Sequence, residues 1–383
     1  MIWTGGYVLD ETFTWKQADV QEQNGKIIAI TAPGQLHKAE QEIQDITGKF
    51  LIPGLVDIHT HGCIGEDYSD QDPGGLPRMA AYMAEQGITS FCAATITQPA
   101  ETLEGICRVL GEYIRTQDVR TAQMRGIYLE GPFLSREHRG AHDERFLRNP
   151  DLQLFDRLQT ASNGQIRIVA LAPELSGAQA FALGCCTEVA VAMAHTAIDY
   201  DGAVSALKTG RYTGVTHLYN GMPAMSHRSP GPAGAALESS CMLELIADGI
   251  HVSPMFVRMT FQLAGRDRII LISDSMRAAG MPDGEYTLGG LMVTVRGRHA
   301  QLQDGRLAGS CSNLMECVRQ AVSFGIPLEQ AVQAATINPA SWLGLDEQIG
   351  SIGIGKDADL VVLDQDIQVC QVYRQGIPVR AMC

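Results

Sequence analysis

A chain of 383 residues with 45% hydrophobic and 19% charged positions has enough apolar material for one large α/β domain and a smaller companion, which excludes a disordered protein. Its formal net charge of -14 argues against nonspecific binding to nucleic acid or to an anionic membrane, because both need clustered Lys and Arg. The cysteines form no Cys-x-x-Cys pair, the start MIWTGGYVLDETF lacks the basic and apolar regions of a signal peptide, and no apolar run is long enough to span a bilayer, so a reduced, soluble, cytoplasmic protein is expected.

In chain order, the first 50 residues read as short strands, most clearly DVQEQ and KIIAI joined by Asn24-Gly25, a dipeptide suited to the positive φ angles of a tight hairpin. Apolar strand-like runs then alternate with helical stretches, at 51–59, 88–97, 125–133, 166–174, 188–196, 212–220, 243–251 and 268–276. This alternation predicts an α/β fold, a closed (β/α)8 TIM barrel occupying 51–345. An open doubly wound sheet is set aside because no GxGxxG or GxxxxGK[ST] phosphate loop follows any of these runs. A Gly-rich, strand-like insertion at about 280–306 follows the eighth run, and two helical stretches lead to further strands at the far end. Residues 1–50 and 346–383 are expected to form one small β-sandwich.

Metal-competent residues sit near the C-terminal ends of these runs, where barrel enzymes place their active sites: His59, His61, Glu130, His195, His217 and Asp274. A single histidine at a strand end is more often a hydrogen-bonded structural residue than a ligand. Six such residues together, at the ends of five of the eight runs, reverse those odds. In His59-Thr60-His61 the period of two along a strand puts both imidazoles on one side, able to grip one cation.

The runs LIPGLVDIHTHG, LEGPFLS followed by RGAH, LAPE, AHT, THLYNGM, ADGIH, SDSM and LAGS, with GKDADLVVLD near the end, together resemble the N-acetylglucosamine-6-phosphate deacetylases of the amidohydrolase superfamily. The resemblance covers nearly the whole chain, and LEGPF with RGAH, THLYN and ADGIH are particular to the deacetylase branch. It implies a hydrolase that removes the acetyl group of N-acetylglucosamine 6-phosphate, with Glu130, His195 and His217 as ligands of a divalent metal. Zinc suits such a carboxylate-plus-imidazole set, with iron, manganese or cobalt as alternatives, and the retained His59 and His61 leave room for a second ion. The same resemblance makes Asp274 the catalytic acid–base and sets His142 against the amide carbonyl. It assigns the sugar and its phosphate to Ala141, Asn220, Gly221, Arg228, Asp248 and His251, and lines the sugar pocket with Leu307, Ala308 and Gly309. It further implies a homodimer in which Arg228 reaches the phosphate held by the neighbouring subunit.

Two other functions compete with this one. A related amidohydrolase acting on N-acyl amino acids or cyclic amides would share the metal site but not the phosphate-directed Arg228 and His251. A non-catalytic scaffold would have lost ligands that this chain keeps. The choice between glucosamine and galactosamine 6-phosphate epimers depends on pocket shape and is not readable here. His37, His138 and His299 lie in polar or charged segments and are assigned no role.

Overall fold

The computed structural model describes residues 1–36 and 42–379, so His37 and positions 380–383 lie outside the described residues. Runs of Val, Ile, Leu and Ala buried on both faces form eight strands of one parallel sheet. In chain order these are β1 (Leu55–Thr60), β2 (Ile88–Ala94), β3 (Gln123–Leu129), β4 (Ile166–Leu171), β5 (Ala190–Met193), β6 (Tyr212–Val215), β7 (Met242–Leu245) and β8 (Ile269–Leu271). A helix separates each strand from the next. The sheet curls until β1 meets the segment leaving β8, where the Asp274 N–H donates to the His59 carbonyl at 2.9 Å and the His61 N–H to that of Ser275 at 2.7 Å. The result is the barrel that the alternating runs predict.

The faces of the barrel wall follow the two-residue period of a strand. Phe91, Ala93, Ile127, Leu129, Val169 and Leu171 pack outward in one cluster with Leu103, Ile106 and Leu110 of the helix Ala100–Thr116. Their alternates Cys92, Ala94, Tyr128, Ile168, Ala170 and Ala192 gather in a separate cluster inside. Small inward residues leave room at the mouth for the histidines.

The strands are shorter than the apolar runs that announced them. Strand pairing stops at Leu129, Met193, Val215 and Leu271, whereas the runs continue to 133, 196, 220 and 276. His195, His217 and Asp274 have φ of 40°, 29° and 47°, a left-handed conformation that turns the chain out of the sheet. The first run also divides, since Phe50–Pro53 belongs to the terminal sheet and β1 begins at Leu55. Gly54 at the crossing has no space for a side chain: a Cβ there would lie 2.1 Å from Thr89 Oγ1.

Both ends of the chain contribute to two further sheets. Ile2–Thr4, Asp19–Gln23, Lys26–Thr31 and Ile43–Asp45 form one, with Asn24 and Gly25 at positive φ in the hairpin turn. In the other, Tyr7–Leu9, Trp15–Gln17 and Phe50–Pro53 join the C-terminal strands Leu360–Leu363, Val369–Arg374 and Ile377–Pro378. Their shared core includes Trp3, Val20, Ile27, Leu51, Ile352, Leu360 and Tyr373. A three-stranded antiparallel unit, Gly284–Leu288, Leu291–Arg296 and His299–Leu302, packs through Val293, Ala300 and Leu302 against Ile96, Ala141 and Ala308 beside the barrel mouth. No helix of the described residues is long and apolar enough to cross a membrane.

Trp3 is fully buried and meets the Tyr373 ring edge-on at 5.0 Å, tying the two ends of the chain together. Trp3→Ala is expected to lower stability by about 3 to 5 kcal/mol, as other large-to-small aromatic core changes do. The urea midpoint measures it; an unshifted midpoint would show that this contact does not hold the terminal sheets.

Candidate functional site

Each of the six metal-competent residues emerges from the end of a different strand or its following turn, except for His59 and His61, which share β1. All are buried. Glu130 is the hub. Its Oε1 lies 3.2 Å from His195 Nε2 and 3.1 Å from His217 Nε2, and those two nitrogens are 3.1 Å apart. Its Oε2 lies 3.1 Å from His61 Nε2 and 3.4 Å from His142 Nε2. Asp274 Oδ1 stands 3.3 Å from His61 Nε2 and 3.7 Å from His59 Nε2. Two triads therefore adjoin: Glu130 with His195 and His217, and His59 with His61 and Asp274.

The partners behind the rings decide what the front atoms offer. His195 Nδ1 donates to the His138 carbonyl at 2.7 Å, and His217 Nδ1 donates to the Asn220 carbonyl at 3.2 Å. A carbonyl can only accept, so in the neutral rings both Nε2 atoms are bare lone pairs facing the Glu130 oxygen. His59 differs: its Nδ1 lies 3.0 Å from Glu244 Oε2 and its Nε2 has no hydrogen-bond partner, while the charges of Glu130 and Glu244 outweigh its burial and raise its pKa well above the usual imidazole range. Three lone-pair atoms converging within about 3 Å repel one another unless a cation sits among them. A carboxylate with two imidazoles, each oriented by an outer acceptor, is a donor set suited to a divalent metal.

His142 is oriented the opposite way. Its Nδ1 accepts from the Thr97 backbone N–H at 3.2 Å and lies 2.8 Å from Thr97 Oγ1, so the ring proton falls on Nε2, toward Glu130. Burial pushes its pKa down to about 4, which keeps the ring neutral and a single N–H donor. For Glu130 and Asp274 burial works against ionisation, but the surrounding imidazoles outweigh it. His59 and His142 hold the Glu130 carboxyl well below its usual range, and the hydrogen bond from His61 lowers that of Asp274.

Above these groups opens a cavity of about 330 Å³. His61, Glu130, Ala141, His142, His195, His217, Asn220, Gly221, His251, Asp274, Leu307, Ala308 and Gly309 all line it, so most of the site residues expected from the sequence are brought together. His59 lies behind the lining, fully buried. Asp248 is also behind it: its Oδ2 pairs with His251 Nδ1 at 2.7 Å while the ring's Nε2 reaches the Ala308 carbonyl at 2.9 Å, so Asp248 orients His251. Arg228 is exposed on the loop after β6 and lines no part of the cavity of its own chain.

Three contributors escaped the sequence reading. Glu244 touches both His59 and the backbone N–H of His217, the latter at 3.2 Å, and a carboxylate inside the apolar strand β7 was the available signal. Thr97 sets the His142 ring. His138, assigned no role, supplies its carbonyl to His195, and a backbone role leaves no mark in residue identity.

Glu244→Gln is expected to weaken metal affinity by about 10- to 100-fold, the usual consequence of losing a partner behind a ligand. Glu130→Gln, which removes a ligand itself, should weaken it further. Competition with a chelator measures both, and metal retention equal to the parent's in both variants would place the ion elsewhere.

Residues 50–379 match the Amidohydrolase family model. The chain is 37% identical to N-acetylglucosamine-6-phosphate deacetylase of Bacillus subtilis (strain 168), over 96% of this chain and 94% of that protein. It is 36% identical to N-acetylgalactosamine-6-phosphate deacetylase of Escherichia coli O157:H7, over 91% and 92%. Among solved structures, an aspartate-to-alanine mutant of N-acetyl-D-glucosamine-6-phosphate deacetylase from Mycobacterium smegmatis, in complex with N-acetyl-D-glucosamine-6-phosphate, superposes with a TM-score of 0.92 at 33% identity, covering 100% of this chain and 99% of that one. Donor set, barrel and sequence agree: this chain belongs to the amidohydrolase family and, within it, to the N-acetylglucosamine-6-phosphate deacetylases.

Proposed function

We propose that this enzyme hydrolyses the N-acetyl amide of N-acetylglucosamine 6-phosphate to glucosamine 6-phosphate and acetate. The observation that carries this reading is the cavity floor itself, where lone pairs of Glu130, His195 and His217 converge beside the ionised Asp274 and the N–H of His142. An amide resists hydrolysis because it is a weak electrophile with a poor leaving group, so water must be activated, the carbonyl polarised and the amine protonated.

Glu130, His195 and His217 would hold a divalent ion, zinc being the best match to this ligand set, and His59 with His61 would hold a second, more labile one. When bound, such an ion supplies Lewis acidity that lowers the pKa of water toward roughly 7. Asp274, ionised, accepts the proton of the attacking water and returns it to the departing nitrogen, so that the sugar leaves as an amine. His142 donates its Nε2–H to the carbonyl oxygen as negative charge develops there. Asn220, Gly221 and His251 lie where the sugar and its phosphate enter, with Ala141 and residues 307–309 forming the wall. The near-equal identity to the relative named N-acetylgalactosamine-6-phosphate deacetylase keeps the other epimer as the second reading. Acetate release from the glucosamine, galactosamine and mannosamine 6-phosphate derivatives, paired with metal analysis, decides between them. The absence of any disulfide among the described cysteines supports a cytoplasmic site of action.

Asp274→Asn is expected to lower kcat by about 10² to 10⁴, the range for lost acid–base catalysis, while metal content stays near that of the parent. Near-normal turnover in the metal-replete variant would remove Asp274 from this role.

Arg228 lies outside its own cavity in the Pro- and Gly-rich loop GMPAMSHRSPGPAGAA, and we place it across a two-fold homodimer interface, at the phosphate of the neighbouring subunit. Arg228→Ala should then raise KM much more than it lowers kcat. Dimers co-assembled from Arg228→Ala and Asp274→Asn chains would regain one intact site. Activity no higher than that of the separate variants would show that the arginine does not act in trans.

A further inference from the structure

Arg306 is the only arginine or lysine among the described residues that line the cavity, and neither the ligand set nor the proposed chemistry uses it. It follows the three-stranded unit and begins the 306–309 segment that crosses the mouth. Its Nη1 donates to the Gly140 carbonyl at 2.6 Å, while Asp304 Oδ2 accepts from its Nε at 2.8 Å and braces the guanidinium.

Gly140 is the midpoint of a loop with two tasks. Two residues earlier, the His138 carbonyl accepts from His195 Nδ1; two residues later, His142 faces Glu130. The loop also lies directly on the His195 ring, since Gly140 has φ of +55° and a Cβ there would stand 3.0 Å from His195 Cε1. Farther along the same crossing segment, the Ala308 carbonyl fastens His251. One side chain from a distant part of the sequence thus pins the loop between the two histidines it serves.

We propose that Arg306 is a positioning residue for the amide hydrolysis: by fastening Gly140 it holds residues 138–142 in the conformation that orients His195 and aims His142 into the cavity. This rests on the assignment of His142 to the amide carbonyl. The guanidinium acts through the loop and does not touch substrate.

Two variants and two readouts test it. In the zinc-loaded enzyme acting on N-acetylglucosamine 6-phosphate, Arg306→Met should lower kcat about 10- to 100-fold with little change in KM, because small misplacements of catalytic groups cost this much. Arg306→Lys, which can still donate to Gly140, should recover most of the loss. In the metal-free protein, amide hydrogen exchange across residues 138–142 should quicken about tenfold or more in Arg306→Met and remain near the parent rate in Arg306→Lys. Unchanged kcat and exchange in Arg306→Met would overturn the clamp, and so would a rise in KM with kcat preserved, which would make Arg306 a contact to the substrate's phosphate. Should the parent be inert toward that sugar, the proposed function fails by itself, and the exchange rates still decide: faster rates support the clamp and unchanged rates overturn it.

Discussion

One buried carboxylate governs this molecule. Glu130 has its two oxygens within 3.1 to 3.6 Å of imidazole nitrogens from His59, His61, His142, His195 and His217. Placing that many donors in a dry interior is costly unless their charges and lone pairs are compensated. A divalent cation compensates several of them at once, which couples metal binding to the stability of the site. The rest of the architecture serves to bring the donors together. Only a closed ring of parallel strands ends so many chain segments around one point, and here the ring closes through the same residues, His59 to Asp274 and His61 to Ser275, that adjoin the cluster.

The second ring of contacts separates histidines that offer a lone pair from one that offers a proton. His195 and His217 rest on carbonyls, so each is set to present a bare nitrogen, whereas His59 rests on the Glu244 carboxylate, which favours its charged form. His142 rests on the Thr97 N–H and presents a proton. Residues of one type, a few ångströms apart, thereby acquire opposite roles, and the difference lies wholly in what stands behind each ring. Asp274 completes the division, since the imidazoles beside it keep it ionised despite its burial.

The mouth is built from pieces far apart in the chain. The three-stranded unit brings Arg306, Leu307 and Ala308 over the barrel, and Ala308 ties down His251, itself oriented by Asp248. An acidic protein with a net charge of -14 that takes an anionic sugar needs its positive groups gathered at one place. A bound divalent cation and the His251 ring, held between Asp248 and the Ala308 carbonyl, are the parts suited to that task.

The amino-acid sequence by itself determined the barrel, because eight apolar runs alternating with helical stretches admit few other arrangements. It also marked most of the site, because His, Glu and Asp at strand ends are chemically conspicuous and the motifs around them are distinctive. Tertiary structure alone decided where the strands stop, at left-handed turns of His195, His217 and Asp274 that residues with a side chain seldom adopt on local propensity. It also decided which nitrogen each histidine presents, through partners such as Glu244, Thr97 and the carbonyl of His138 that lie tens of residues away or act through backbone atoms. Contacts of that kind depend on distances across the folded chain, and spacing along a sequence does not encode them.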